Sequence, residues 1–294
     1  MFDLRYHVAS LAAVFLMLVV GILVGVGISG RGFVDDAERD RLNGQIADLR
    51  SEVEAANVNA EDLERRQRAA EEFVESAYPV LAERRLAGKR IAVLVLGSVD
   101  PTLGFVERAL DDSGARLARM RAITLPLRSE NVEAALSERA ELGGYVGDDQ
   151  LANVGRDLGR ELVTGGETPL WDVLEGDIVE ERRGDFGEPV DGVVVIRTAE
   201  PQAAETSRFL AGLYEGPGST GVPVVGVERA RVEESAVPTF QRHSLSTVDG
   251  IDSELGSLAL VLLLGGADAG DYGTRDTAED GILPPIEPLP APSG

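Results

Sequence analysis

Three textures of apolar and polar residues follow one another along the chain. Residues 8–30 read VASLAAVFLMLVVGILVGVGISG, without a single charge, and residues 8–28 alone supply 21 positions. A helix needs about 20 apolar residues to cross the hydrocarbon core of a bilayer, so this stretch predicts a transmembrane helix. A secretory signal peptide carries a shorter apolar region of about 7–15 residues. Gly25, Gly27 and Ser29 imitate a cleavage site and keep cleavage open as the alternative. Arg5 precedes the span and Asp35, Asp36, Glu38 and Asp40 follow it. That asymmetry predicts a short cytoplasmic N-terminus, residues 1–7, and a remainder outside the membrane. Ala9, Ala13, Gly21, Gly25 and Ser29 share one i+4 row, interrupted by Met17. Gly21 and Gly25 form the GxxxG spacing that lets helix backbones approach closely. Glycine is also simply common in membrane helices, so the motif alone leaves self-association open.

The second texture, residues 35–86, is polar with a sustained seven-residue repeat. Positions Ile46, Val53, Ala60, Gln67, Val74 and Leu81 take the a sites; Leu42, Leu49, Ala56, Leu63, Ala70 and Ala77 take the d sites. Only Gln67 breaks the apolar seam, which predicts a coiled coil. β-branched residues at a with Leu at d favour parallel two-stranded coils, so the expected partner is a second copy. The competing arrangement is an amphipathic helix lying on its own globular domain. As a continuous helix the segment would be a spacer of roughly 78 Å. Pro79 falls in its last turns and should kink or end it.

The third texture begins at residue 89. Residues 90–96, RIAVLVL, and 191–196, DGVVVI, are apolar runs of strand length, the pattern of strands buried on both faces of a parallel sheet. Further strands are expected over 115–125, 221–226 and 244–248, with helices over 101–110, 131–142, 148–163, 201–214 and 252–264. Strands alternating with helices predict an α/β domain, residues 89–265, with a mostly parallel, doubly wound (Rossmann-like) sheet. Residues 266–294, rich in Gly, Asp and Pro, read as a flexible tail.

Charge and composition narrow the function. Fifty-one acidic residues oppose 28 basic ones, a formal net charge of -23. Nucleic-acid binding is built from Lys and Arg that displace counterions, so this balance excludes that class. The chain has no cysteine, two histidines (His7, His243) and three methionines (Met1, Met17, Met120). Copper(I) prefers sulfur and copper(II) takes imidazole, and no CxxC, HxxH or Met-rich run is present. No dedicated metal site and no cofactor are therefore expected. One apolar helix encloses no pore.

The loop GSVDPTLG after the first strand lies where doubly wound sheets bind ligands, which makes Gly97, Ser98 and Asp100 the ligand candidates. The loop lacks GxGxxG spacing and a Walker lysine. Its plainer reading is a turn with Asp100 capping a helix that begins at Pro101. Asp249 and Asp252 could pair on a metal, but Asp252 ahead of an apolar helix reads better as its N-cap. His243 has no nucleophile beside it in a catalytic arrangement, and the chain is not expected to be an enzyme.

Two stretches carry a family resemblance. Arg5, His7, Ser10, Leu11, Ala13, Phe15 and Leu16, leading into the Gly21/Gly25 span and an acidic coil, resemble the N-terminus of the actinobacterial copper transport outer membrane protein family, MctB. Ser246, Thr247, Val248, Asp249, Gly250, Ile251 and Asp252, then Gly256, Leu258, Val261, Tyr272 and Gly273, are similar to its C-terminal signature. The cell-envelope protein SteB has a related layout. The resemblance implies either copper efflux or homeostasis across the envelope, or control of envelope remodelling through a cell-division partner. The expectation from the residues is the second: a single-pass membrane protein, paired through Gly21, Gly25, Leu42, Ile46, Leu49, Val53, Leu63 and Val74, acting as a scaffold on an envelope protein. Copper is a ligand only under the first account. A small-ligand sensor in the α/β domain is a third.

Overall fold

The computed structural model describes residues 4–28, 31–98, 101–184, 187–197 and 202–288. The chain divides into two compact units, Met1–Ala70 and Glu71–Gly294.

The first unit is helical. α1 (Leu4–Ile28) contains Ser10–Gly27, a stretch long and apolar enough to cross a membrane by length and composition. Its apolar side chains are exposed, from Leu11 to Val26. α2 (Arg31–Ala82) is one helix of 52 residues that enters the second unit. It ends four residues earlier than the pattern predicts. Pro79 is accommodated inside its final turn, and Arg84 takes a left-handed conformation (φ 62°) that stops the helix. The predicted seam is divided. Leu42, Ile46, Leu49, Val53 and Leu63 are exposed, whereas Val74, Ala77 and Leu81 are half-buried. The single chain confirms the helix and leaves its pairing as a coil unconfirmed.

The second unit is a seven-stranded sheet between two layers of helices. Its strands are β1 (Arg90–Leu96), β2 (Arg116–Ile123), β3 (Val179–Gly184), β4 (Gly192–Arg197), β5 (Val224–Glu228), β6 (Ser246–Asp249) and β7 (Asp271–Tyr272), in the order β3-β2-β1-β4-β5-β6-β7. All neighbours are parallel except β2 and β3. The winding reverses between β1 and β4, which makes the sheet doubly wound.

The period of two along each strand sorts side chains into two cores. Ala92, Leu94, Leu96, Val193 and Val195 face one; Ile91, Val93, Val95, Val194 and Ile196 face the other. Burial on both faces is why β1 and β4 read as unbroken apolar runs. The second of these cores is closed by α3 (Thr102–Asp112) and α9 (Glu254–Gly265). The first is closed by α4 (Ser129–Ser137), α5 (Leu151–Thr164), α6 (Pro169–Val173), α7 (Ala204–Gly218) and α8 (Val237–Arg242).

Three expectations need correction. The helix expected over 131–142 is instead α4 followed by a 3-10 turn, Ala140–Tyr145, and the helix over 148–163 opens with a second, Asp148–Gln150. β3 was not anticipated; its sequence, VEERRG, is that of an antiparallel edge strand blunted by charge. Within the stretch read as a tail, β7 pairs with β6, Tyr272 is 5% exposed, and Tyr272 bridges Gly281.

α5 and α7 cross at close range, and glycine permits it. Gly155 and Gly159 on α5 face Gly212 and Gly216 on α7, each pair spaced by four. A Cβ on Gly212 would strike the carbonyl oxygen of Ala152, and one on Gly155 that of Phe209. The small-residue row sought in the membrane span thus has a counterpart in the α/β domain.

Candidate functional site

The carboxyl ends of β5 and β6 each terminate in a buried acid, Glu228 at 5% and Asp249 at 3% exposure. Such charges need partners, because an unpaired buried carboxylate is strongly disfavoured. Thr274 N–H donates to Asp249 Oδ1 at 2.7 Å and Arg275 N–H donates to Asp249 Oδ2 at 3.1 Å. Glu228 accepts from Ser235 Oγ and from Ala236 N–H, both at 2.8 Å, and forms an ion pair with the Arg275 guanidinium. Arg275 therefore joins the two acids, one through its backbone and one through its side chain.

Neighbouring residues of the C-terminal signature complete this arrangement. Thr247 Oγ1 donates to Asp271 Oδ1 at 2.6 Å, fixing β7 beside β6. Gly250 has φ 78°, which favours glycine, and a side chain on Gly256 would collide with its carbonyl. Gly273 (φ 149°) lies against the Asp249 carboxylate, where a Cβ has no room. Asp252 is not the N-cap of α9. Ser253 is, accepting from Gly256 N–H at 3.1 Å, and Asp252 Oδ1 instead accepts from Ala230 N–H at 2.7 Å. Asp249 and Asp252 thus spend their oxygens on separate backbone donors. The cluster locks the segment after α9 onto the sheet and presents no reacting pair.

The switch point holds the other candidates. Gly97 follows β1 with φ 97°, and its N–H donates to Ile123 O at 2.9 Å, so that donor is committed to the sheet. Ser98 is exposed; Asp100 lies outside the described residues. α3 starts at Thr102 with Pro101 in the cap position and no side-chain cap. Across the switch point Leu96 pairs with Arg197, whose Nη1 donates to Tyr214 Oη at 3.2 Å.

The soft and imidazole donors are scattered. Met120 is buried in β2, Met17 is exposed on α1, and His243 lies against Tyr214 with ring centroids 5.1 Å apart and planes tilted by 45°. Burial, reinforced by the positive charge of Arg242, holds the His243 imidazole below its ordinary pKa against an opposing pull from Glu215. Among the described residues no three His, Cys, Asp or Glu side chains are grouped to hold a metal. A Cβ built on Gly21 or Gly25 would meet nothing within 4 Å.

The sequence reading missed a cationic cluster on β2 and β3. Arg119 and Arg121 are each 1% exposed; Arg119 Nη1 donates to Leu162 O at 3.1 Å, and the Arg121 guanidinium lies 5.8 Å from the Trp171 ring centroid. Burial, with Arg182 and Arg119 nearby, pushes the Arg121 pKa down to about 9. Arg182 pairs with Asp172 and Glu175, each at 2.8 Å. The alternation RLARMR was the available signal: charges at strand spacing inside an otherwise buried strand.

These features define a class: a chain with one apolar helix of membrane-spanning length, a long helix with an exposed apolar seam, and a closed α/β domain. The family profile described as copper transport outer membrane protein, MctB, matches residues 1–283. The chain belongs to that family. It is 24% identical over 310 aligned positions to the copper transporter MctB of Mycobacterium tuberculosis, covering 93% of this chain and 96% of the relative, and equally to that of Mycobacterium bovis.

Proposed function

We propose that this family member is a membrane-anchored scaffold of the cell envelope: a parallel homodimer whose N-terminus is cytoplasmic and whose α/β domain acts outside the membrane on a partner in envelope remodelling. The observation that carries this reading is the exposed seam Leu42, Ile46, Leu49, Val53 and Leu63 on α2. Burying a side chain of this size is worth about 1.5–3 kcal/mol, so five of them in one row favour a second helix over water. Leu49→Cys in the full-length protein tests the dimer, since the chain has no other cysteine. Oxidation is expected to yield a covalent dimer; a protein that stays monomeric sinks the scaffold.

A second reading, copper efflux or homeostasis, draws on the family description and on the relatives' name. On this chain it would be indirect, because the donors present are scattered. Calorimetry of the full-length protein with copper separates the two: tight, stoichiometric binding overturns the scaffold as the primary role, and no binding leaves copper to partners.

A further inference from the structure

We infer that the homodimer seam of α2 changes register at Gln67–Ala70, so that the second copy is held by Leu42–Leu63 in an a/d seam and then by Phe73 and Val80. This rests on the parallel-dimer reading and specifies its surface. Over the last turns of α2, the a residues Val74 and Leu81 are half-buried and Ala82 is fully buried. Tyr78 Oη on the same side donates to Asp112 of α3 at 3.1 Å. These residues are used by their own domain and are withdrawn from a partner helix. Phe73 and Val80, in the g positions, are instead 71% and 74% exposed.

Seven residues separate Phe73 from Val80, so both lie on one face of the helix. Exposed Ala70 extends that stripe, three residues before Phe73, and half-buried Ala77, three before Val80, borders it. Ala70 closes the first register as a d residue and opens the second as an a residue. This is a three-residue discontinuity, the kind that overwinds a coil locally. It falls next to Gln67, the one polar seam position.

Charge favours a parallel second copy as the occupant. In a parallel pair, each g residue faces the e residue five positions on in the partner. Gln45 then meets Arg50, Glu52 meets Asn57, Asn59 meets Glu64 and Arg66 meets Glu71. No like charges oppose one another, and Arg66, which pairs with Asp62 of its own helix at 2.8 Å, meets Glu71 where the first register ends.

Single cysteines in the full-length, otherwise cysteine-free protein, oxidised with diamide in its native membrane, test the proposal. Leu49→Cys, Phe73→Cys and Val80→Cys are expected to shift to a covalent dimer, while Val74→Cys and Leu81→Cys remain monomeric. Phe73 and Val80 are exposed in the single chain, so these variants leave the domain's fold intact. Cross-linking at Leu49, Val74 and Leu81 with none at Phe73 and Val80 overturns the register change and leaves the dimer standing. Cross-linking at Leu49 alone also overturns it. No cross-linking at any position, Leu49 included, removes the dimer itself.

Discussion

Asp249, the last residue of β6, accepts the backbone N–H of Thr274 at 2.7 Å across 25 positions of sequence. That bond, with its companion from Arg275, turns a stretch of Gly, Asp and Pro into a fixed part of the domain. Replacing Asp249 with Ala leaves two backbone donors and the Arg275 region without their acceptor. Each unsatisfied buried group costs about 1–3 kcal/mol, so urea denaturation is expected to show a loss of that order or more. Asp249→Asn retains one acceptor oxygen and should lose less. Equal stability of Asp249→Ala and the parent would remove the carboxylate from this role.

The glycine crossing of α5 and α7 gives a steric prediction. Gly212→Ala places a methyl against the Ala152 carbonyl, and the helices must part to admit it. Overpacking of this kind costs about 1–3 kcal/mol, outweighing the roughly 1 kcal/mol by which Ala exceeds Gly in helix propensity. Gly21→Ala, by contrast, meets no atom within 4 Å in the single chain. Thermal melts of the full-length protein should therefore fall for Gly212→Ala and not fall for Gly21→Ala.

What was legible in the chain follows from which forces leave a local pattern. β1 and β4 are buried on both faces and advertise it with continuous Val, Ile and Leu. β3 lies at the sheet edge, where charge protects against pairing, so its six residues look like a loop. β7 has two residues and owes its place to Thr247 and Asp249, contacts that no window of sequence displays. Asp252 illustrates the limit at single-residue scale. The helix begins at Glu254, two residues after the expected start, because Ser253 takes the cap and Asp252 reaches back to Ala230, a choice set by tertiary geometry. The heptad repeat identified α2 and could not show that Val74 and Leu81 turn toward their own domain.

Trp171 is fully buried in α6, with its indole N–H donating to Leu158 O at 2.9 Å and the Arg121 guanidinium over its ring. Trp171→Phe keeps an aromatic face for Arg121 but removes the indole donor from the Leu158 carbonyl and leaves a void. Trp171→Ala removes the face as well, and large-to-small changes of this type cost about 3–5 kcal/mol. Denaturant midpoints should rank parent, Trp171→Phe, Trp171→Ala in falling order. A Trp171→Phe variant as unstable as Trp171→Ala would assign the energy to the indole N–H instead of the ring.

Glu161 on α5 supplies the pH dependence. Its carboxylate accepts the N–H groups of Leu170 at 3.2 Å and Trp171 at 3.3 Å, at the start of α6. Burial raises its pKa from 4.5 to about 7, Asp172 and Asp157 push the same way, and the two backbone donors pull it back. The folded state thus holds this proton more tightly than the unfolded chain does. Its contribution is fully present below about pH 4.5 and is lost as pH rises through about 7. Glu161→Gln keeps an acceptor for one of the donors and carries no charge, so it escapes the loss. Urea denaturation of both proteins from about pH 5 to pH 8 should show the parent weakening relative to Glu161→Gln as pH increases. The difference between the two also cancels His243, whose lowered pKa acts in the opposite sense and costs stability as pH falls below its ordinary value near 6.5. Parallel stability curves across this range would mean that Glu161 is charged in both states and that the α6 amides compensate its burial.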